Sequence, residues 1–212
     1  MRRALIGLAV TAFTVVALAG PASAASAQVM RFSFHGTVAN ASWSASSATS
    51  LTDTSVHVSE SLQGSDLSVE QFTANRDANG NFTGGTDTFT DVTGGFSFGI
   101  EQALLTSASL SGSGLPATAC TLDADFRVIG CSATTIDVTV AWTGQGPISR
   151  SVFNDHFASD GFNETDHFNG TDRAATATGI VGGLALSASE LQFANLGTEN
   201  SGTVTICIGT GC

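Results

Sequence analysis

Asp155-His156-Phe157 and Asp166-His167-Phe168 repeat one tripeptide on either side of Asp160-Gly161. Asp-Gly between extended segments signals a two-residue hairpin, because both residues accept positive φ. In that register partner numbers sum to 321, which sets Phe153 opposite Phe168, Asp155 opposite Asp166 and Phe157 opposite Glu164. One face then gathers Asp155, Glu164 and Asp166. Directly opposed carboxylates are unfavourable unless a cation or a proton lies between them. The other face carries His156 and His167 as diagonal neighbours, at a spacing a transition metal could use. These five residues are the candidate ligands for calcium or zinc. The same carboxylates suit glycoside cleavage, which needs one acid of raised pKa beside an ionised partner. The plainer expectation is a surface hairpin whose aromatic pair packs and whose charges are solvated, since exposed acids in an acidic protein need no ligand.

Other motifs carry less chemistry. Gly95-Phe96-Ser97-Phe98-Gly99 matches the nucleophile elbow, but that elbow needs a strand-to-helix turn and the chain shows no alternating strand-helix units. A glycine-flanked strand with Ser97 turned outward is the expectation. Asp77-Ala78-Asn79-Gly80-Asn81 begins like a calcium loop and then places Phe82 where glycine is required, so the Asn-Gly pair reads as a hairpin turn. The four cysteines fall as two close pairs, predicting Cys120–Cys131 and Cys207–Cys212 disulfides. Their gaps do not fit a zinc knuckle. The composition is rich in alanine, glycine and threonine, lacks lysine and is bacterial in character, so the sequons at Asn40, Asn81, Asn163 and Asn169 are incidental.

The chain opens with Arg2-Arg3, an uncharged apolar run from Ala4 to Gly20, and small-residue sites ending at Ala24 and Ala27. This is the order of a secretory signal peptide spanning residues 1–27, cleaved after Ala24 or Ala27. Its removal, taking two arginines and no acid, moves the net charge from −11 to −13. Such a surface repels nucleic-acid phosphates and anionic lipid. The expected product is secreted and extracellular, with no membrane span and no nucleic-acid partner.

What must position these groups is a set of strands. Period-two alternation, punctuated about every ten residues by Gly, Asn or Asp, runs through the mature chain. Ile136, Val138, Val140 and Trp142 alternate with Thr135, Asp137, Thr139 and Ala141. Val56 and Val58 alternate with Ser55, His57 and Ser59. In the first mature strand Met30, Phe32, Phe34 and Val38 are expected to face in, and Arg31, Ser33, His35 and Thr37 out. Leu67 to Ala74 pairs back on the Val56 strand through Gly64-Ser65-Asp66. Thr86 to Thr93 alternates Asp and Thr and reads as an exposed or edge strand, while Ile100 to Leu105 fits a helix or a strand equally. No linker divides residues 28–212. The expectation is all-β: one antiparallel sandwich or barrel of roughly ten strands. As a function this predicts a non-enzymatic domain acting by extracellular binding or surface interaction on an unidentified partner, with no resident cofactor. The alternatives are an extracellular hydrolase working through the carboxylate pair, and a divalent-cation-binding module.

Overall fold

The computed structural model describes residues 28–159 and 162–208. They form eleven strands: β1 (Gln28–Ser46), β2 (Ser50–Ser61), β3 (Gly64–Arg76), β4 (Phe82–Val92), β5 (Phe96–Ile100), β6 (Ser107–Leu122), β7 (Val128–Gly144), β8 (Ser149–Ser159), β9 (Phe162–Val181), β10 (Leu184–Leu186) and β11 (Leu191–Ile208). The described residues contain no helix, and every ladder is antiparallel.

The ladders close on themselves. Pairing runs β9-β11-β1-β2-β3-β4-β6-β7, and β7 returns to β9. Closure depends on β9 changing partners along its length: residues 162–174 pair β11, and residues 175–181 pair β7. The fold is thus a closed antiparallel barrel, with β5, β8 and β10 added at its sides. Beyond the barrel, β8, the first half of β9, the last half of β11 and the start of β1 continue as a four-stranded arm.

Alternation explains the interior. Ile136, Val138, Val140 and Trp142 are buried while their odd-numbered and alanine neighbours are exposed. Val56, Val58, Leu67, Val69, Leu110, Leu115 and Leu196 join them in one cluster. Small inward residues, Ala39, Ala41, Ala108, Ala177 and Ala194, make room for the two indoles. Trp142 Nε1 donates to the Asn40 carbonyl at 2.9 Å, and Trp43 Nε1 to the Ala177 carbonyl at 3.4 Å. Each bond satisfies a buried polar tip and ties two strands that share no ladder. One end is closed by the loop 101–106. Leu105 is fully buried at φ 50°, and the Glu101 carboxylate accepts the amides of Ala103, Leu104 and Thr106. Gly144 lies so close to this loop that a Cβ there would meet the Leu105 carbonyl at 2.1 Å.

Several expectations are corrected. In β1 it is Thr37, Ala39, Ala41 and Trp43 that turn inward, leaving Val38 half-buried. Filling the barrel with Trp43 outweighs the local preference of Val38. The side chains of Met30, Phe32 and Phe34 lie outside the described ones. β4 is not an edge, because β3 and β6 flank it and Thr90 is buried. The β2–β3 turn is Leu62-Gln63, starting two residues before the Gly64-Ser65-Asp66 signal, which itself lies in the ladder. Asn79-Gly80 belongs to a five-residue loop in which only Gly80 has positive φ, at 83°. Asp77 holds that loop by accepting from the amides of Asn79 and Asn81 and from Asn81 Nδ2. These donors keep its carboxyl below the usual range. Residues 101–106 are neither helix nor strand, for the Glu101 reasons above.

Candidate functional site

The 153–168 hairpin forms in the expected register. Phe153 pairs Phe168, Asp155 pairs Asp166, His156 pairs Thr165 and Phe157 pairs Glu164. Asp160 and Gly161 themselves lie outside the described residues. Asp155, His156 and His167 are exposed and Glu164 is half-buried. The side chain of Asp166 is not among those described. His167 Nδ1 bonds Asn154 Oδ1 across the ladder, and Asp155 Oδ1 accepts its neighbour's amide from His156 at 2.8 Å. Phe157 tilts against Phe162 with ring centroids 6.1 Å apart. No group of three or more His, Cys, Asp or Glu that could hold a metal ion occurs among the described residues.

Cys120 and Cys131 face each other on β6 and β7 and are bonded. Cys207 is disulfide-bonded; its expected partner, Cys212, lies outside the described residues. Ser97 is exposed on β5 while Phe96 and Phe98 pack on the core, as a strand requires.

A different surface emerges from the closed ring. With the inward side of β1, β2, β3, β4 and β11 filled, their alternate residues form a grid facing solvent. One row reads Phe193, Ser42, Ser55, Glu70, Phe89 across β11, β1, β2, β3 and β4. The row beside it reads Ser44, Asp53, Phe72, Asp87 and then Cys120. On the other side run Asn195, Asn40, His57, Ser68 and Asp91.

Two adjoining depressions, of about 460 and 420 Å³, share Gln192 and lie over this grid. The first is walled by Asp172, Phe193 and Asn195. The second is walled by Ser42, Ser44, Asp53, Ser55, Glu70 and Phe72. Together they cross β9, β11, β1, β2 and β3, a trough about 19 Å long at the usual strand spacing.

The grid is held by its own hydrogen bonds. Asn40 Nδ2 donates to Asn195 Oδ1 at 2.9 Å, His57 Nδ1 to Asn40 Oδ1 at 2.5 Å, and Ser44 Oγ to Asp53 Oδ1 at 2.6 Å. Burial among these neighbours pulls the His57 imidazole below its ordinary pKa, against the attraction of Asp66 and Asp91. Burial pushes the Asp87 carboxyl up, and its Oδ1 is buried without a hydrogen-bond partner. The outward phenylalanines escaped sequence reasoning because Phe72, Phe89 and Phe193 sit in ordinary strand patterns. Their side follows only from what the closed barrel buries.

The chain matches no protein-family model, no curated protein and no solved structure. Among the described residues no helix is long and apolar enough to cross a membrane.

Proposed function

We propose that this chain is a non-enzymatic, exported binding domain that takes an extended ligand across the strands of its outer face. The observation that carries the reading is the trough over β9, β11, β1, β2 and β3, with Phe193 exposed and Phe72 half-buried on the outer side of strands whose inner side is already packed. Phe193 is 46% exposed. Rings set among Ser42, Ser44, Ser55, Asn195 and the carboxylates of Asp53 and Glu70 suit a neutral, hydroxyl-rich polymer. The rings cover its C–H surfaces, and the polar groups exchange hydrogen bonds with its hydroxyls. The acids disfavour an anionic ligand.

The test is retention of the mature, disulfide-bonded chain on insoluble cellulose and chitin, and its retardation in gels containing soluble neutral polysaccharide. Wild type is expected to be retained by at least one of these, and a Phe72→Ala, Phe193→Ala variant of unchanged circular dichroism is expected to be released. A wild type that none of them holds, or a variant held equally well, overturns the reading.

A further inference from the structure

The first half of β7 has a partner on one side only. Over residues 128–136 it pairs β6, whereas β9 joins it only from Val138 onward. Which backbone groups face the vacant side follows from two independent observations. The carbonyl of Asp137 points to the β9 side, where the Gly182 amide donates to it at 2.9 Å. Stepping back by two along an extended chain, Thr135, Ala133 and Cys131 aim their N–H and C=O groups the same way, up to a β-bulge at Ile129, where Thr121 pairs Gly130 and Leu122 pairs Val128. The rung Cys120–Cys131 agrees, since its Cα separation of 4.0 Å is that of a non-hydrogen-bonded pair, whose amides and carbonyls point away from each other's strand. Three outward residues, Cys131, Ala133 and Thr135, therefore present unpaired donors and acceptors on a strand fixed from behind by a disulfide. Among the described residues nothing covers them.

The side chains do nothing to guard this edge. From Val128 to Ile136 there is neither a charge nor a proline, in a chain of 18 acids. Natural edges carry charges, prolines or bulges to prevent strand addition, and the one bulge here, at Ile129, lies at the hairpin end and leaves Cys131 to Thr135 in regular register. All of residues 128–135 are exposed, including Val128 at 60% and Ile129 at 66%. We propose that this edge pairs with the same edge of a second copy, forming a two-fold dimer whose sheet runs through both barrels.

The occupant follows from charge and symmetry. Two copies of so acidic a molecule repel each other wherever acids meet, and along this strand none do. A two-fold axis perpendicular to the sheet requires partner numbers with an even sum. The sum 264 sets Cys131 opposite Ala133 of the copy and Ala133 opposite its Cys131, with about four ladder hydrogen bonds in total. Ser132 then meets its own counterpart on the axis. One strand pair buries less than a standard interface of about 1,600 Å², so the dimer is weak and reversible.

The experiment is sedimentation velocity of the mature, disulfide-bonded chain over a concentration series. Wild type is expected to shift from monomer to dimer as concentration rises. Ala133→Pro removes one outward N–H and leaves the β6 ladder intact, so it is expected to stay monomeric with unchanged circular dichroism. Ser132→Lys and Ser132→Glu each bring like charges together on the axis and are expected to be monomeric alone, while their equimolar mixture dimerises. A wild type that is monomeric throughout, or lysine and glutamate variants that each dimerise as well as wild type, overturns the proposal. The lysine and glutamate pair keeps the test decisive if the proline variant misfolds.

Discussion

β8 and the first half of β7 are strands of similar length, each with one side of its backbone unpaired among the described residues. They treat that exposure differently. β8 carries Arg150, Asp155 and His156 along its edge, and its partner β9 adds Glu164, Asp166 and His167. β7 carries Val, Ile, Gly, Cys, Ser, Ala and Thr over residues 128–135, all uncharged. Charge on an open edge costs little, since it stays solvated, and it deters an approaching strand. Asp155 and His156, two of the residues that look most like chemistry in the sequence, also have a plain physical use on β8. The strand with nothing reactive on it is the one left open to a partner. A cluster of polar residues is thus not by itself a site, and a bland strand is not by itself inert.

The largest expected effect comes from removing what holds the β7 edge straight. Cys120→Ser with Cys131→Ser should lower unfolding free energy by about 3 kcal/mol, from the loop-closure entropy of a short ring. Hydrogen exchange should quicken around residues 118–133 and not in β8. A uniform loss of protection across the barrel would instead mean that the rung supports the whole fold. Next in size is Asp87, the neighbour of Cys120 on β4. Its buried, unpartnered oxygen and raised pKa mean that ionising it opposes folding at neutral pH. Asp87→Thr should raise stability by about 1 kcal/mol at pH 7, with the gain shrinking as acid protonates the wild-type group. Equal denaturation midpoints for the two proteins at pH 7 would contradict this. Smaller still is the thermodynamic effect of discharging β8. Arg150→Ser, Asp155→Ser and His156→Ser together should change stability by roughly 0.5 kcal/mol or less, because all three are exposed. The triple variant should nonetheless self-associate more than wild type in sedimentation. If it does not, the charges on β8 are not what guards that edge.

How much of this could be read from the sequence depends on how local its cause is. The register of the 153–168 hairpin was legible because a two-residue turn and a repeated tripeptide fix it within sixteen residues. The inward faces of Val56, Val58, Ile136, Val138, Val140 and Trp142 were legible because hydrophobic and polar residues alternate cleanly there. The β1 face was not, because Thr37, Ala39 and Ala41 are small and polar enough to pass for a solvent side. What turns them in is the space demanded by Trp43 and by Trp142, whose indole reaches back to Asn40. Barrel rather than sandwich was equally out of reach, since it rests on β9 exchanging β11 for β7 part-way along. The outer trough inherits that difficulty, as Phe72 on β3 and Phe193 on β11, three strands apart, share the outer side only because other residues fill the inner one.

The smallest expected effect separates the barrel wall from both edges. His57 lies mid-wall on β2, donating to Asn40, and the charged groups acting on it are Asp66 and Asp91. Because burial lowers its pKa, the folded protein binds this proton less readily than the unfolded chain does. As pH falls through the ordinary histidine value of about 6.5, the unfolded state takes up the proton first, so stability declines with acidification until the folded imidazole also protonates. Asp77, Glu101, Asp137 and Glu190, whose pKa values are lowered by hydrogen bonds, add a decline of the same sign. Theirs falls in the carboxylate range near 4 and below, outside the histidine window. Urea unfolding of wild type and His57→Gln between about pH 5.5 and 7.5 should therefore give a shallower pH dependence for the variant. The same substitution should leave unchanged both the dimerisation attributed to β7 and the resistance to further association attributed to the charges of β8. Identical slopes for the two proteins would mean that the ring is hydrated enough to titrate normally. In that case the Asn195-Asn40-His57 row would hold together through hydrogen bonding alone.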